Sequence, residues 1–290
     1  MTEDRGALHA RPPEAEHLLD VPVHTRDSLV QDLKRVGLRS GDLVMVHSSM
    51  RSVGPILGGP NEMIEALLES VGPGGTVMMY VDWEDGAQSR TRKDLDTALP
   101  PEERSAWPAF DVTKARAARS YGILPEFLRT WPGASRSGNP GASVAAVGAR
   151  AEWICADHPL DYGYGPGSPL AKLVEARGRV LLLGSPLENV TVLHFAEHAA
   201  RLPDKRVIRY EEKLLRDGRA EWVEIEEFDT SDPVVEAAPD DHFDGLMRAY
   251  LDRAEGLVGQ VGGARTYLFE AEPLHRFAVR WLEEQYGGRP

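Results

Sequence analysis

The alternation of short apolar runs with amphipathic segments constrains the fold of this chain more than any other feature of its sequence. Each run has the length of a buried strand, and the intervening segments carry apolar residues at helical spacing. The predicted strands cover residues 42–47, 76–81, 143–147 and 180–183, and the predicted helices cover 25–37, 60–71, 121–131 and 189–202. Because such an alternation is typical of a sheet covered by helices, we expect an α/β domain.

The C-terminal third carries a different pattern. Two strand-like runs, 207–215 and 220–228, flank Asp217-Gly218, which is the strongest short hairpin signal in the chain. A helix, a strand and a final helix are expected after them over 243–254, 266–269 and 272–286. The predicted fold class is therefore α/β, a mixed sheet flanked by helices with an appended antiparallel hairpin region.

The domain organisation follows from composition along the chain. Residues 1–22 are rich in proline and charge and lack any period, so we expect a flexible lead-in. Residues 23–290 are expected to form a single domain, whose C-terminal part, 206–290, holds the hairpin. The stretch 82–108 between two predicted elements has weak periodicity and is expected to be a long loop.

Charge and cysteine content exclude several function classes. The formal charge of −13 argues against nucleic acid and against anionic membranes as partners, and it suits a cationic small molecule or simple solubility. The longest apolar run, 180–183, is too short to span a bilayer, so a cytoplasmic location is expected. Cys155 is the only cysteine, which excludes an intramolecular disulfide framework and any cysteine-rich metal site.

A glycine-bearing turn follows the first predicted strand. Residues 46–54 (VHSSMRSVG) precede Gly58-Gly59-Pro60 and a helix, an arrangement in which clustered backbone N–H groups favour an anion such as pyrophosphate. The spacing matches neither a Walker loop nor G-x-G-x-x-G. The alternative is an ordinary strand–helix turn whose serines cap the backbone.

A histidine-bearing helix follows the strand 180–183. Thr191, His194 and His198 fall on one face of it, with Glu197 beside them. The order differs from His-Glu-x-x-His and no third ligand is evident, so no metal is expected. A histidine here suits a general base, and the alternative is a structural core or capping histidine.

Carboxylates and aromatic residues cluster after two strands and near Phe110. Such a mixture suits a polyamine ligand, whose ammonium groups need paired charge, although a solvated acidic surface is the alternative. The cluster comprises Tyr80, Asp82, Trp83, Glu84, Asp85, Asp111, Glu226, Glu227 and Asp229.

Ser168 before Pro169 is typical of a helix N-cap, and such a helix start can receive a phosphate or a pantetheine amide.

Together these segments resemble the aminoglycoside 3-N-acetyltransferase family, nearest to the branch acting on gentamicin, tobramycin, kanamycin and neomycin-type drugs. The resemblance runs from about residue 23 to 286, and it is carried by HSSMRSVG, MMYVDWED, RSGNPGASVAAVG, HPLDYGYGPGSPLAKL, LLLGSPLENVTVLHFAEH and the late EEFD. It implies an α/β fold distinct from the common GNAT fold, with coenzyme A in a cleft.

The resemblance also implies a mechanism. His194, in the T-x-L-H-x-A-E element, would take a proton from the 3-amino group of the 2-deoxystreptamine ring as this amine attacks acetyl-CoA directly. Glu227 or Glu226 would orient the imidazole, and Thr191 would meet the oxyanion. Acetyl-CoA is the expected co-substrate, and an aminoglycoside is the expected substrate of a monomer or homodimer.

The remaining roles divide between the two ligands. The expected coenzyme-binding residues are Ser49, Arg51, Ser52, Val53, Gly54 and Ser168. The expected substrate-binding residues are Tyr80, Asp82, Trp83, Asp85, Asp111, Glu226 and Asp229. Two positions depart from the family pattern, since Asn139 stands where many relatives have histidine and Glu188 where some have aspartate.

Other functions remain open at this point. The chain could acetylate a different amine, or it could bind cationic sugars without transferring a group. A serine hydrolase using Ser48 or Ser49 is disfavoured because no G-x-S-x-G elbow is present.

Overall fold

The computed structural model describes residues 22–94, 99–230, 233–253 and 256–288, so residues 1–21 of the expected lead-in lie outside the described residues. The main sheet consists of the strands β1 (Leu43–Ser48), β2 (Thr76–Tyr80), β3 (Ser135–Arg136), β4 (Val144–Gly148), β5 (Arg179–Leu183), β8 (Leu257–Val261) and β9 (Ala264–Glu270). Across the sheet these seven strands lie in the order β3-β4-β2-β1-β5-β9-β8. The central strands β2, β1 and β5 are parallel, and the outer pairings are antiparallel.

Helices cover both faces of this sheet. They are α1 (Arg26–Val36), α2 (Met50–Val53), α3 (Pro60–Val71), α4 (Gln88–Thr91), α5 (Pro101–Ala106), α6 (Leu124–Arg129), α7 (Ala151–Cys155), α8 (Pro169–Glu175), α9 (Val192–Ala199), α10 (His242–Leu251) and α11 (Ala271–Tyr286). Single 3-10 turns precede α6 at Arg119–Tyr121 and α9 at Leu187–Asn189. The predicted mixed α/β architecture is confirmed.

The alternation of side chains along the central strands divides the core into two layers. In β1, Met45 packs toward α8, α9 and α11, while Val44 and Val46 pack toward α1 and α3. Because successive side chains in a strand point to opposite faces, continuous apolar strands supply both layers at once. This burial on both faces explains why the predicted strands are uniformly apolar rather than alternating.

Local signals define the ends of several helices. Thr25 caps α1 by accepting a hydrogen bond from the Ser28 N–H, and Gly37 ends it in the left-handed region at φ 111°. Ser168 caps α8 in the same way, with Pro169 at its first position. The helix predicted over 189–202 is shorter than expected, because Leu187–Asn189 forms the 3-10 turn and Ala200 ends α9 in extended backbone.

The C-terminal third is more closely joined to the domain than predicted. The hairpin of β6 (Val207–Arg216) and β7 (Arg219–Phe228) forms a separate two-stranded sheet, as expected. The chain then returns to the main sheet, where residues 266–270 of β9 pair with all five residues of β5. Only the hairpin is therefore appended, and the rest of this third completes the central sheet.

The stretch 82–118, which we term the β2–α6 excursion, packs against the hairpin. The buried Glu212 carboxylate accepts hydrogen bonds from the backbone N–H groups of Ala87 and Gln88 at 2.9 and 3.0 Å. Arg104 makes two 2.8 Å bonds to Glu211 on the same strand. The excursion contains α4 and α5, so this expected loop is partly helical, and its residues 95–98 lie outside the described residues.

Within the described ranges, no helix is both long enough and apolar enough to cross a lipid bilayer.

Candidate active site

A cavity of about 640 Å³ opens at the carboxyl edge of the three parallel strands. Ser48 at the end of β1, Tyr80 at the end of β2 and Ser185 just beyond β5 line it, together with residues of α9. Ligands in open α/β sheets bind outside the carboxyl ends of the strands, because neighbouring connections diverge there and leave a crevice. The strand order thus accounts for the position of the cavity.

His194 lines this cavity from α9 and carries a carboxylate partner behind it. Its Nδ1 lies 2.9 Å from Oε2 of Glu197, one turn further along the same helix. Burial tends to raise the pKa of Glu197, but the hydrogen bonds from His194 and His242 hold it below its ordinary value. An ionised Glu197 therefore accepts a hydrogen bond from the Nδ1–H of His194, which leaves Nε2 as the basic nitrogen.

The structure corrects the expected partner of His194. Both oxygens of Glu226 are taken by Tyr162 at 2.6 Å and Arg209 at 2.7 Å. Glu227 is buried with its Oε1 3.0 Å from Nε2 of His198, not of His194. The expectation that Glu226 or Glu227 orients His194 is wrong, because a residue three positions along a helix is nearer than any strand residue.

The predicted coenzyme-binding residues divide into two groups. Ser49 and Arg51 line the cavity together with Thr191. Ser49 also caps α2, as the alternative of an ordinary strand–helix turn requires, and its hydroxyl contacts that of Ser52 at 2.9 Å. The positions that do not line the cavity are Ser52, Val53, Gly54 and Ser168, of which Val53 and Ser168 are fully buried.

None of the predicted acidic substrate residues is among the residues that line the cavity. Asp85 is exposed at the surface, and Asp111 stabilises a turn by accepting bonds from Thr113. Asp229 is buried and paired with Arg92 at 3.0 Å. Each of these three carboxylates is either exposed to water or bonded to a neighbouring residue. The composition of the sequence could not distinguish such carboxylates from ones that bind a ligand.

Three aromatic side chains line the cavity close to His194. The Tyr80 and Tyr164 hydroxyls are 2.6 Å apart, and the Tyr164 ring centroid is 5.1 Å from that of His194. The Tyr121 ring packs edge-on to Tyr80 at 4.8 Å. Of the predicted aromatic residues, Tyr80 thus lines the cavity, whereas Trp83 belongs to a separate apolar cluster with Phe110 and Leu214.

Asp82 lies behind these tyrosines rather than in the cavity wall. Burial raises its pKa to about 7, and its charge adds to the burial that holds the pKa values of Tyr80 and Tyr164 well above their ordinary range. Both hydroxyls therefore stay protonated at neutral pH and act as neutral hydrogen-bonding groups.

Several cavity residues had no predicted role. Glu188, in the 3-10 turn before α9, is the only carboxylate among the cavity residues that the structure describes, and Thr230 follows β7 at the same wall. His47, the residue before the last of β1, has a buried Nε2 without a partner among the described residues, and burial lowers its pKa to about 4. A neutral His47 can therefore hydrogen bond to a bound ligand. These residues share one feature, which is that they lie next to the cavity at the carboxyl ends of neighbouring strands. The sequence alone does not show this feature, because it depends on the order of the strands in the sheet.

Asn139 has a structural role. Its side-chain NH₂ donates hydrogen bonds to the carbonyl oxygens of Pro159 and Leu160, and its side-chain oxygen accepts hydrogen bonds from the N–H groups of Gly141 and Ala142.

In the described ranges, no group of three or more His, Cys, Asp or Glu side chains is arranged to hold a metal ion.

Comparisons with known proteins agree on one family. The family model described as aminoglycoside 3-N-acetyltransferase matches residues 45–283. Aminoglycoside N(3)-acetyltransferase III of Pseudomonas aeruginosa is 45% identical over 93% of this chain and 97% of its own length. Aminoglycoside N(3)-acetyltransferase VIII of Streptomyces fradiae is 41% identical over 91% of this chain and 93% of its own.

Solved structures give the same result. AAC-IIIb, binary with CoASH, superposes with a TM-score of 0.88 at 49% identity and covers 93% of this chain and 100% of that one. AAC-VIa bound to sisomicin superposes with a TM-score of 0.87 at 38% identity, covering 92% and 100%.

Proposed function

The chain belongs to the aminoglycoside 3-N-acetyltransferase family and is an acyltransferase, and we propose that His194 is its general base. The proposed reaction moves the acetyl group of acetyl-CoA to the 3-amino group of the 2-deoxystreptamine ring of an aminoglycoside. The observation that carries the proposal is the His194–Glu197 pair, 2.9 Å apart, at the wall of a cavity large enough for a sugar ring and a thioester.

The bond to Glu197 prepares His194 for this role. With Nδ1–H donated to the carboxylate, the Nε2 lone pair can accept a proton from the substrate amine. The amine nitrogen forms a bond to the thioester carbonyl carbon, and the carbon–sulfur bond then breaks. The coenzyme A thiolate takes up a proton, which His194 can return, so no covalent enzyme intermediate is needed.

The oxyanion formed during this attack requires a hydrogen-bond donor. Thr191 lies one turn before His194 in the cavity wall, and its hydroxyl makes no capping bond to α9. We assign this hydroxyl to the developing negative charge, since a preorganised donor stabilises a transition state more than a ground state.

The side chains that line the cavity suit both ligands. Arg51 and Ser49 offer a positive charge and a hydroxyl to the coenzyme, whose phosphates are anionic. Glu188 offers a carboxylate to an ammonium group, and Tyr80 and Tyr164 offer flat apolar faces to a sugar ring. The CoASH-bound AAC-IIIb and sisomicin-bound AAC-VIa structures support this assignment of ligands.

The product of the reaction tests the function. Purified protein is incubated with acetyl-CoA and a panel containing tobramycin, gentamicin, kanamycin and neomycin, and the products are examined by mass spectrometry and NMR. We expect a single added acetyl group on the 3-nitrogen. Acetylation of a different nitrogen, or of other amines only, would contradict the proposed substrate, and tight drug binding without thiol release would indicate a binding protein.

A further inference from the structure

His158 lies in the loop between α7 and α8, outside the cavity wall, and both of its ring nitrogens have protein partners. Its Nδ1 is 2.8 Å from the hydroxyl oxygen of Ser137, and its Nε2 is 2.7 Å from the backbone carbonyl oxygen of Gly163. Rotating the ring by 180° would replace both nitrogens with carbons and lose both bonds. The two contacts therefore define the orientation of the ring.

The partners of His158 also define where its proton lies. A carbonyl oxygen can only accept a hydrogen bond, so Nε2 carries the hydrogen that is donated to Gly163. Burial lowers the pKa of His158 to about 4, so the ring is neutral at pH 7 and Nδ1 has a free lone pair. The Ser137 hydroxyl donates to this lone pair and accepts a hydrogen bond from the Val144 N–H at 3.0 Å. We term this directed series of hydrogen bonds the Ser137–His158–Gly163 bridge.

The bridge begins at a fixed part of the main sheet. Ser137 is fully buried, and its own N–H donates to the Val144 carbonyl oxygen at 2.9 Å. Its backbone and its hydroxyl are thus both held by the first residue of β4. Because a buried polar network whose members are all satisfied specifies one arrangement, the bridge holds the Gly163 carbonyl relative to the sheet and not only to its own loop.

The bridge ends next to Tyr164, which lines the cavity. The Tyr164 ring centroid is 5.1 Å from that of His194, and the Tyr164 hydroxyl is 2.6 Å from that of Tyr80. The peptide unit that joins Gly163 to Tyr164 is planar, so a shift of the Gly163 carbonyl also moves the Cα of Tyr164. The bridge therefore acts on the position of a ring that packs beside the His194 imidazole.

The backbone around Gly163 needs such a restraint. Tyr162 has a φ of 51°, in the left-handed region that a residue other than glycine adopts at a cost, and such residues persist only where surrounding contacts hold them. A Cβ on Gly163 would lie 2.3 Å from Nδ2 of Asn139, and one on Gly165 would lie 2.7 Å from Nδ1 of His198. The loop thus has one tightly packed position, and the loss of a restraint would release strain at Tyr162.

The contacts of the bridge point to a role in the reaction. We infer that His158 is a positioning residue for the acetyl transfer: it fixes the Gly163 carbonyl and, through it, the Tyr164 ring. This inference rests on the proposed function of the cavity, in which Tyr164 lies between the His194 imidazole and the sugar. His158 touches no reacting atom and acts only through the loop.

A displaced Tyr164 ring would affect one ligand and not the other. It would leave room for His194 to move away from the attacking amine, and it would remove a flat face from the sugar. Ser49 and Arg51, which are proposed to hold the coenzyme, belong to a different segment of the cavity wall. We therefore expect loss of the bridge to alter kcat and the KM for the drug, while the KM for acetyl-CoA stays the same.

Two substitutions of His158 separate the two halves of the bridge. The amide nitrogen of glutamine can reach the position of Nε2 and donate to Gly163, whereas the shorter asparagine reaches only the position of Nδ1 beside Ser137. His158→Asn should lower kcat for thiol release by about 5- to 20-fold and raise the KM for tobramycin by about two- to fivefold, because misplaced groups react slowly. His158→Gln should restore kcat to within about twofold of the unchanged enzyme.

The same comparison excludes a role in packing alone. A packing role would lower the free energy of unfolding of both variants without separating the KM for the drug from that for acetyl-CoA. Equal kinetic losses in folded His158→Asn and His158→Gln would overturn the inference. If neither variant folds, Ser137→Ala keeps the ring and removes its hydroxyl donor. We expect a raised KM for the drug in Ser137→Ala, and unaltered kinetics would overturn the inference.

Nitrogen NMR of the resting protein tests the bridge without substrate. The protein is labelled with ¹⁵N-histidine, and the His158 ring signals are assigned by their proton contacts with Gly163. At pH 7 we expect a neutral ring that carries its proton on Nε2 only. A proton on Nδ1 would overturn the inference, because the ring could then not accept the Ser137 hydroxyl.

Failure of this inference and failure of the proposed function give different results. If the proposed function is wrong, the unchanged protein acetylates no aminoglycoside, whatever the protonation of His158. If only this inference is wrong, the unchanged protein acetylates the drug normally and His158→Asn does so with the same constants as His158→Gln.

Discussion

At the scale of single residues, the Glu197 carboxylate determines what His194 can do. It accepts hydrogen bonds from two imidazoles and is buried, so its removal would leave both rings without their common acceptor. A buried hydrogen-bond donor that is left without an acceptor lowers the stability of the fold. An imidazole that is not held in one orientation is also a poor base. The activity of His194 as a base therefore depends on which group donates and which group accepts each hydrogen bond, more than on the number of charged side chains nearby.

Glu197→Gln should reduce kcat for thiol release by about 10²–10⁴-fold, because the amide can donate to His194 Nδ1 and favour the wrong tautomer. Steady-state release of coenzyme A thiol at saturating substrates measures this. Glu227→Gln is the control, since Glu227 faces His198. A loss as large in Glu227→Gln as in Glu197→Gln would contradict the assignment of Glu197.

Glu188→Gln should raise KM for an aminoglycoside by about two- to fivefold, with kcat nearly unchanged, because an exposed carboxylate–ammonium pair contributes modestly to binding. Glu175→Gln, at an exposed site on α8 outside the cavity, should leave both constants unchanged. An unaltered KM in Glu188→Gln would remove this carboxylate from the substrate site.

At the scale of elements, the β2–α6 excursion and the hairpin stabilise each other. Glu212 is the centre of this contact, and burial raises its pKa to about 7 although two backbone N–H groups favour its ionised form. A carboxyl group whose pKa is higher in the folded state stabilises the fold when protonated. That contribution is complete below the ordinary pKa of 4.5 and is lost as pH rises through about 7.

Between pH 4.5 and 7, the unchanged protein should lose stability relative to Glu212→Gln, on the order of 2–3 kcal/mol, because glutamine does not titrate. Urea unfolding of both proteins across this range measures the difference. Carboxyl groups that do not interact with Glu212 titrate alike in both proteins and cancel, whereas Asp82, whose pKa the Glu212 charge helps to raise, is coupled to Glu212 and adds to the difference. A constant difference in the free energy of unfolding would contradict the burial of an ionisable Glu212.

The turn between β6 and β7 contains a glycine whose replacement should lower the stability of the protein. Asp217 and Gly218 both have positive φ, at 49° and 76°, as a two-residue type I′ turn requires. Gly218→Ala should lower the free energy of unfolding by about 1 kcal/mol although its Cβ meets no atom within 4 Å. Gly74→Ala, where space is also open but φ is not positive, should cost nothing in the same urea titration. Equal costs would contradict the turn assignment.

The sequence predicted elements with strong local signals and missed those without them. The capped helix at Thr25, the proline-led α3 and the Asp217-Gly218 hairpin were predicted within a residue or two. The short β3, α7 and β8 were not predicted, because two to five residues carry too little periodicity. The pairing of β9 with β5 joins residues about 85 positions apart, and no local pattern encodes such a contact.

The same distinction applies to the site. His194, Thr191, Ser49, Arg51 and Tyr80 were identified from motifs, and they do meet at one cavity. The partner of His194 was misassigned, because resemblance to a triad favoured a distant carboxylate over Glu197. His242 could not be identified, since its link to Glu197 exists only after α10 packs beside α9.

At the scale of the whole molecule, net charge acts on the approach of the substrate. The chain carries a formal charge of −13, although some of its carboxylates, such as those of Asp229 and Glu227, are paired locally. An acidic protein attracts a polycation over distances up to the Debye length, about 10 Å at 0.1 M salt. The net charge therefore favours encounter with an aminoglycoside even where individual carboxylates do not touch it.

Raising the salt concentration should accordingly lower kcat/KM for a drug with five ammonium groups more steeply than for one with three, while kcat stays nearly constant. Initial rates at several ionic strengths measure the two slopes. Equal slopes would show that long-range charge has no part in substrate capture.

The role of His194 is tested most directly by comparing the turnover of His194→Gln with that of His198→Gln. The two residues lie one turn apart on α9, but only His194 lines the cavity. Loss of a general base should reduce kcat for thiol release by at least about 10²-fold in His194→Gln, with drug binding retained by calorimetry, and should leave His198→Gln close to the unchanged enzyme. Near-normal turnover in His194→Gln would show that this imidazole does not accept the proton of the attacking amine.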